Sequence, residues 1–96
     1  MITQLALESK LKELKPVLAQ KYFVNKIGYF GSYSTGSQTE NSDIDILVEF
    51  SRPLGWEFFD LNDLLEKELE RKVDLVSIKA LKPQLKHKIL NEVKYV

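Results

Sequence analysis

Residues 31–50 read GSYSTGSQTENSDIDILVEF, and this stretch decides the fold. It opens on a small-residue turn, continues through a polar linker, and ends with two aspartates that lead into an apolar run. Apolar residues also precede it, at Ile27, Tyr29 and Phe30. We therefore predict a strand, a tight turn, a linker and a second strand, in that order.

The two aspartates, Asp43 and Asp45, are the first candidate site. Side chains alternate between the two faces of a strand, so both carboxylates point the same way and Ile44 points to the other face. Carboxylates this close repel each other unless a cation bridges them or one is protonated. Hard oxygen ligands of this kind suit Mg²⁺ or Mn²⁺, with water and a substrate phosphate completing the shell.

A third acidic residue, Asp74, begins another strand-like run, Asp74-Leu75-Val76. If that strand lies beside the first, Asp74 joins the pair, and three carboxylates could hold two ions about 3.5–4 Å apart. Taken singly, each signal has a commoner explanation. An Asp-x-Asp is more often a cap or a solvated strand end, and a lone aspartate at a strand start usually faces solvent.

The turn before the aspartates is the second candidate site. Gly31 permits close backbone approach and unusual dihedral angles. If a short helix begins at Ser32, its free amides and the Ser32 hydroxyl would face a phosphate, and Gly36 would let the chain leave that helix. Neither a P-loop nor a dinucleotide fingerprint is present. A Gly-Ser pair alone is usually only a turn.

Composition limits the function classes. The 96 residues predict one domain spanning 1–96 with zero net charge. The centre is acidic between basic flanks, which favours a cation site over general nucleic-acid binding. The chain has no cysteine, no apolar run of membrane-spanning length and no signal-like start, so we expect a cytoplasmic protein.

Apolar spacing predicts the remaining elements. Leu7, Leu11, Leu14 and Leu18 form one helical stripe, with Thr3 as N-cap and a kink or a break into two helices at Pro16. We expect a turn at Asn25. The predicted elements are helices at 3–22, 56–70 and 82–93 and strands at 26–30, 43–50 and 73–78. This pattern is α/β (α+β), with a small mixed sheet of three or four strands flanked by helices.

The order of these motifs resembles the nucleotidyltransferase superfamily of DNA polymerase β, and more closely its minimal nucleotidyltransferases. Their hallmark is Gly-Ser, ten residues, then Asp-x-Asp, and residues 33–42 provide that spacing here. The resemblance continues through Arg71-Lys72-Val73-Asp74-Leu75-Val76 into the last helix, so it covers nearly the whole chain. It implies the polymerase β-like nucleotidyltransferase fold.

The resemblance also implies residue roles. Gly31 and Ser32 would grip the triphosphate of ATP, while Asp43 and Asp45 would bind catalytic Mg²⁺ or Mn²⁺. Asp74 would complete the metal site and could accept the proton of the attacking hydroxyl. Many relatives carry arginine at one or both of the positions occupied here by Tyr33 and Thr35. Because neither residue supplies that charge, we expect weaker triphosphate binding.

Close relatives are commonly encoded with a HEPN-domain RNase toxin and act as its antitoxin, by transferring AMP from ATP to a tyrosine of the toxin. The resemblance implies the same activity here. The alternative is a non-catalytic nucleotide-binding antitoxin that neutralises its partner by docking. A small-molecule nucleotidyltransferase would need an added substrate domain.

Partner binding is expected at the corner formed by Leu54, Gly55 and Trp56. The single histidine, His87, is predicted to be exposed and non-catalytic. Tyr95 and Val96 could pack on the sheet or on a second subunit, so a homodimer and a hetero-oligomer both stay open. We expect no direct binding to nucleic acid or membrane.

Overall fold

The computed structural model describes residues 2–96. Its helices are α1 (Gln4–Tyr22), α2 (Ser32–Thr35), α3 (Glu57–Leu69) and α4 (Pro83–Glu92), with a 3₁₀ turn at Ile78–Ala80. Its strands are β1 (Val24–Phe30), β2 (Ile44–Phe50), β3 (Val73–Ser77) and β4 (Lys94–Tyr95). The fold is therefore mixed α/β, as the sequence predicts.

The four strands form one mixed sheet in the order β3-β2-β1-β4. β1 and β2 run antiparallel, β2 and β3 run parallel, and β4 adds to β1 in antiparallel orientation. Helix α3 makes the crossover between the two parallel strands, a connection that antiparallel neighbours do not need. This topology brings the end of β1 and the starts of β2 and β3 to the same edge of the sheet.

Helix α1 starts where the sequence predicts. The Thr3 hydroxyl accepts a hydrogen bond from the Ala6 amide at 3.0 Å, as an N-cap should. All four leucines of the stripe are buried. The predicted alternative of two helices is wrong, because one helix runs through Pro16. Pro16 lies on the exposed side, where water can satisfy the carbonyl whose partner amide proline lacks.

The predicted turn at Asn25 is also wrong. The chain turns at Phe23, which adopts a left-handed conformation (φ 57°) as the cap of α1. Asn25 lies inside β1, where the register with β2 slips between Val24 and Lys26. It is therefore the extra residue of a β-bulge, and its side-chain amide donates to Glu49 at 2.6 Å.

The two faces of the sheet are unequal. Helices α1 and α3 pack on one face of the sheet, and the core lies between these helices and that face. The strand residues in the core are Ile27, Tyr29, Ile44, Ile46, Val48, Val73 and Leu75. Asp45 and Asp74 alternate with these residues, so they lie on the opposite face. Leu47 shares that face and is fully buried, which confirms that the middle of β2 is covered on both sides.

The C-terminal part departs most from expectation. Helix α4 contributes no buried residue, and its Leu85 is 49% exposed. The final residues pack on the sheet, where Tyr95 of β4 pairs with Gly28 of β1. None of the helices in residues 2–96 has the length and apolar character needed to cross a membrane.

Candidate active site

The two motif segments meet at one edge of the sheet. Asp45, the second residue of β2, lies opposite Phe30 on β1 and opposite Asp74 on β3. The predicted adjacency of the two strands is therefore present, and Asp45 and Asp74 are direct cross-strand neighbours on the face away from α1 and α3. Asp43 lies one residue before β2 and is exposed.

Gly31 connects the turn to the carboxylates. It follows β1 directly and has φ 69° and ψ −145°, a conformation that residues with a side chain rarely adopt. A Cβ atom built at Gly31 would overlap Oδ2 of Asp45. The glycine therefore leaves the space that the Asp45 carboxylate occupies, and the turn and the aspartates form a single site.

Helix α2 begins at Ser32, as the sequence predicts for a phosphate-facing turn. The Gly31 carbonyl accepts bonds from the amides of Ser34 and Thr35, both at 3.1 Å, which closes the first turn. The first amides of a helix have no partner within it and can bind an anion. Gly36 ends the helix in a left-handed conformation (φ 78°), as predicted.

Charge is concentrated around Asp45. The pKa of its carboxyl group is raised to about 6, first by burial and then by the negative charges of Asp74, Asp43 and Glu92. Sequence reasoning missed Glu92, the last residue of α4. Its proximity depends on β4, whose pairing with β1 returns the chain to this edge, and no local motif signals that return.

The residues present fit a divalent cation. Asp45 and Asp74 are hard oxygen donors on one face, and the glycine at position 31 leaves room for the Asp45 carboxylate. Within residues 2–96, no three acidic or histidine side chains are arranged as a ready-made ligand set. Mg²⁺ is usually held by one or two carboxylates together with substrate phosphates, so a complete protein cage is not required. The metal-binding roles of Asp43, Asp45 and Asp74 stay predictions.

The two positions where relatives carry arginine differ in environment. Tyr33 is fully buried in the core, and its hydroxyl has no hydrogen-bond partner among residues 2–96. Thr35 is exposed, and its hydroxyl lies 3.2 Å from the Gly31 carbonyl. Position 35 therefore lies at the surface of the turn, whereas position 33 lies inside the core.

Two other predicted residues are exposed. His87 is exposed on α4, as predicted, and its ring shares a hydrogen bond with Asn91. Trp56 is 83% exposed, and it precedes α3 at the far end of β2. Asp45 and Phe50 are separated by five residues of strand, or about 17 Å.

Comparison with known proteins agrees with the fold and the motif. Residues 12–96 match the family described as polymerase beta, nucleotidyltransferase. The protein adenylyltransferase MntA of Thermococcus cleftensis is 41% identical over 97 residues, which cover 100% of this chain and 98% of that protein.

Solved structures extend the similarity. A minimal nucleotidyltransferase superposes with a TM-score of 0.84 at 28% identity, covering 97% of this chain and 95% of the other. A toxin–antitoxin complex with AMP-PNP superposes with a TM-score of 0.74 at 31% identity, and the match covers 90% of this chain and 70% of the other. A complex of tri-AMPylated Shewanella oneidensis HEPN toxin with MNT antitoxin superposes with a TM-score of 0.65 at 26% identity, and the match covers 90% of this chain and 66% of the other. With its motif, its fold and these relatives in agreement, this chain belongs to the polymerase β nucleotidyltransferase family.

Proposed function

We propose that this chain transfers AMP from ATP to a hydroxyl group of a partner protein, a HEPN-domain toxin, and so acts as an antitoxin. The acceptor hydroxyl would attack the α-phosphate of ATP, the bond to the pyrophosphate would break, and pyrophosphate would leave. The acceptor is most simply a tyrosine, whose hydroxyl loses its proton more easily than that of serine or threonine. ATP is plentiful in the cytoplasm, which is where we expect the reaction.

One observation carries the proposal: Gly31 lies against the Asp45 carboxylate, which in turn lies beside Asp74. A phosphate grip and an acidic centre in contact are what phosphoryl transfer requires, since its catalysis is mostly positioning and charge stabilisation. The match to MntA and the AMPylated toxin bound by an MNT antitoxin support the choice of AMP and of a protein acceptor.

Each residue has a distinct role in this proposal. The amides at the start of α2 and the Ser32 hydroxyl bind the triphosphate. Asp43, Asp45 and Asp74 hold Mg²⁺ or Mn²⁺, which would neutralise the phosphate charge when bound. Asp74 would also accept the proton of the acceptor hydroxyl.

The test is an incubation of the chain with ATP, Mg²⁺ and a HEPN-domain protein encoded beside it, followed by intact-mass spectrometry of that protein. We expect added masses of AMP with the wild type and none with Asp43→Ala/Asp45→Ala. Glu13→Ala is the control, because Glu13 is an exposed carboxylate on α1, which packs on the other face of the sheet from the aspartates. It should leave the transfer unchanged.

The same experiment separates the alternative function. If the wild type adds no mass but still suppresses the ribonuclease activity of the HEPN protein, the chain is a docking antitoxin and not a transferase. Transfer that survives in the double variant would show that the aspartates do not serve the reaction.

A further inference from the structure

We infer that Arg71 is a positioning residue that holds Asp43 in place through hydrogen bonds to the backbone before it. The inference rests on the proposed function in one respect, because the proposed function assigns Asp43 to the metal site. Arg71 lies in the turn between α3 and β3, three residues before Asp74.

Asp43 and Asp45 are held in different ways. Asp45 lies within β2, paired with β1 on one side and β3 on the other. Asp43 lies outside the strand at the end of the linker and is exposed. Its position therefore depends on the two peptide groups that flank it, because no strand pairing fixes it directly.

Both flanking peptide groups are anchored to the turn that carries Arg71. On the C-terminal side, the Ile44 amide donates to the Lys72 carbonyl at 2.9 Å. On the N-terminal side, Nη2 of Arg71 donates to the Ser42 carbonyl at 3.1 Å, and that carbonyl belongs to the peptide group shared with Asp43. The same nitrogen also donates to the Glu40 carbonyl.

The linker is already folded where Arg71 meets it. Ser42 donates from its amide to the Thr39 carbonyl at 3.1 Å, and its hydroxyl accepts from the Thr39 amide at 2.9 Å. These bonds form a closed turn whose outward carbonyls need a donor. One guanidinium nitrogen with two N–H groups can serve both carbonyls at a fixed angle.

The turn that carries Arg71 is also held in place. Glu70 adopts a left-handed conformation (φ 54°) that ends α3, and the Glu66 carboxylate accepts from the Val73 amide at 2.9 Å. Within the described residues, Arg71 forms no salt bridge with a carboxylate. Its guanidinium therefore bonds to the backbone of the linker and forms no ion pair with the aspartates.

The charge of Arg71 and its positioning role predict opposite effects of its removal on metal affinity. Loss of a positive charge near a cation site should by itself strengthen metal binding. Loss of positioning should weaken it, because partners that orient a metal ligand typically contribute about 10- to 100-fold in affinity. The sign of the change therefore distinguishes the two roles.

The experiment is a titration with Mn²⁺ in the presence of saturating AMP-PNP, using wild type, Arg71→Ala, Arg71→Lys and Arg52→Ala. We expect Mn²⁺ to bind Arg71→Ala at least about tenfold more weakly than wild type, and Arg71→Lys to recover part of that loss. Arg52→Ala is the matched control: Arg52 stacks on Phe23 away from the aspartates and should leave Mn²⁺ binding unchanged. Circular dichroism should show that all variants are folded.

A second readout does not depend on metal. Hydrogen exchange of the metal-free chain should be faster at residues 39–44 in Arg71→Ala and unchanged in β1 and α1. Mn²⁺ affinity in Arg71→Ala that equals or exceeds that of wild type would overturn the inference. If the wild type itself binds no Mn²⁺, the proposed function fails, and unchanged exchange at residues 39–44 would then overturn the anchoring role as well.

Discussion

At the scale of single residues, the contact between Gly31 and Asp45 governs the site. The carboxylate of Asp45 occupies the space beside a glycine whose φ is positive, so neither residue can change alone without affecting the other. Each of these residues supports one prediction.

Replacing Gly31 by alanine should abolish ATP binding, whereas Ser32→Ala should only weaken it. The new Cβ would displace the Asp45 carboxylate and strain the backbone. Gly36→Ala is the matched control, because Gly36 also has a positive φ but no atom lies within 4 Å of the Cβ it would gain. Calorimetric titration with AMP-PNP measures all three variants. If Gly31→Ala and Gly36→Ala bind equally well, the overlap with Asp45 has no consequence for the nucleotide.

Replacing Asp45 by asparagine should end metal-dependent transfer yet stabilise the metal-free chain near pH 7. The pKa of Asp45 is about 6 in the folded chain against an ordinary value of 3.8. Between these values the folded state keeps a proton that the unfolded state loses, so the free energy of unfolding falls as the pH rises. Asparagine removes that dependence, because it does not titrate.

Thermal melts of the metal-free proteins from pH 3.5 to 8 check this sign. The melting temperature of Asp45→Asn minus that of wild type should increase between pH 3.8 and about 6, and it should stay level at higher pH. A difference that is constant with pH would contradict the burial of the Asp45 charge. Glu49→Gln supplies the comparison for a carboxylate on the same strand.

At the scale of elements, helix α2 has one side in the core and one side at the site. Tyr33 faces the core and Thr35 faces solvent. The side chain at position 33 therefore belongs to the core, and the weaker triphosphate binding expected from the two missing arginines stays a prediction.

Arginine substitutions at these positions should have opposite outcomes. Thr35→Arg should strengthen ATP binding by about three- to tenfold, the effect of one partly exposed charge-assisted hydrogen bond. Tyr33→Arg should lower the melting temperature without strengthening ATP binding, because it replaces a buried core side chain of this chain by a charged one. Nucleotide titration and thermal melts measure the two effects. Unchanged ATP affinity in Thr35→Arg would show that this position does not reach the phosphates.

At the scale of the whole molecule, the exposed aromatic corner lies far from the acidic edge. Trp56 and Phe59 are 83% and 60% exposed, and their rings lie 5.9 Å apart. Beside them is a cavity of about 380 Å³ lined in part by Phe50, Leu54 and Phe58. The exposed carboxylates Glu57 and Asp60 flank the aromatic pair and favour a basic partner surface. A protein acceptor can span both ends of β2, whereas a small acceptor cannot.

Trp56→Ala/Phe59→Ala should therefore raise the KM for the HEPN-domain acceptor by about tenfold or more, as loss of interface aromatic residues does. Its kcat and its affinity for AMP-PNP should not change. Leu5→Ala is the matched control, because Leu5 is 78% exposed at the start of α1. If the KM stays the same, the acceptor binds elsewhere and the corner has another role.

The sequence alone determined the three long helices, three of the four strands and the candidate residues. Apolar spacing identified the leucine stripe of α1 and the buried run of β2, and the small-residue turn before Asp43 and Asp45 indicated the candidate site. These signals are local, since side-chain alternation and helical periodicity operate over a few residues. For the same reason the predicted element bounds lie within about two residues of those observed.

Only the tertiary structure decided which residues meet. The register of β2 with β1 and β3 placed Asp45 beside Phe30 and Asp74, and β4 brought Glu92 to the same edge. It also assigned Tyr33 to the core, made Asn25 a bulge and attached the linker to Arg71. Each of these facts depends on pairing between segments distant in the chain, and that pairing is set by how the whole sheet packs rather than by any short stretch.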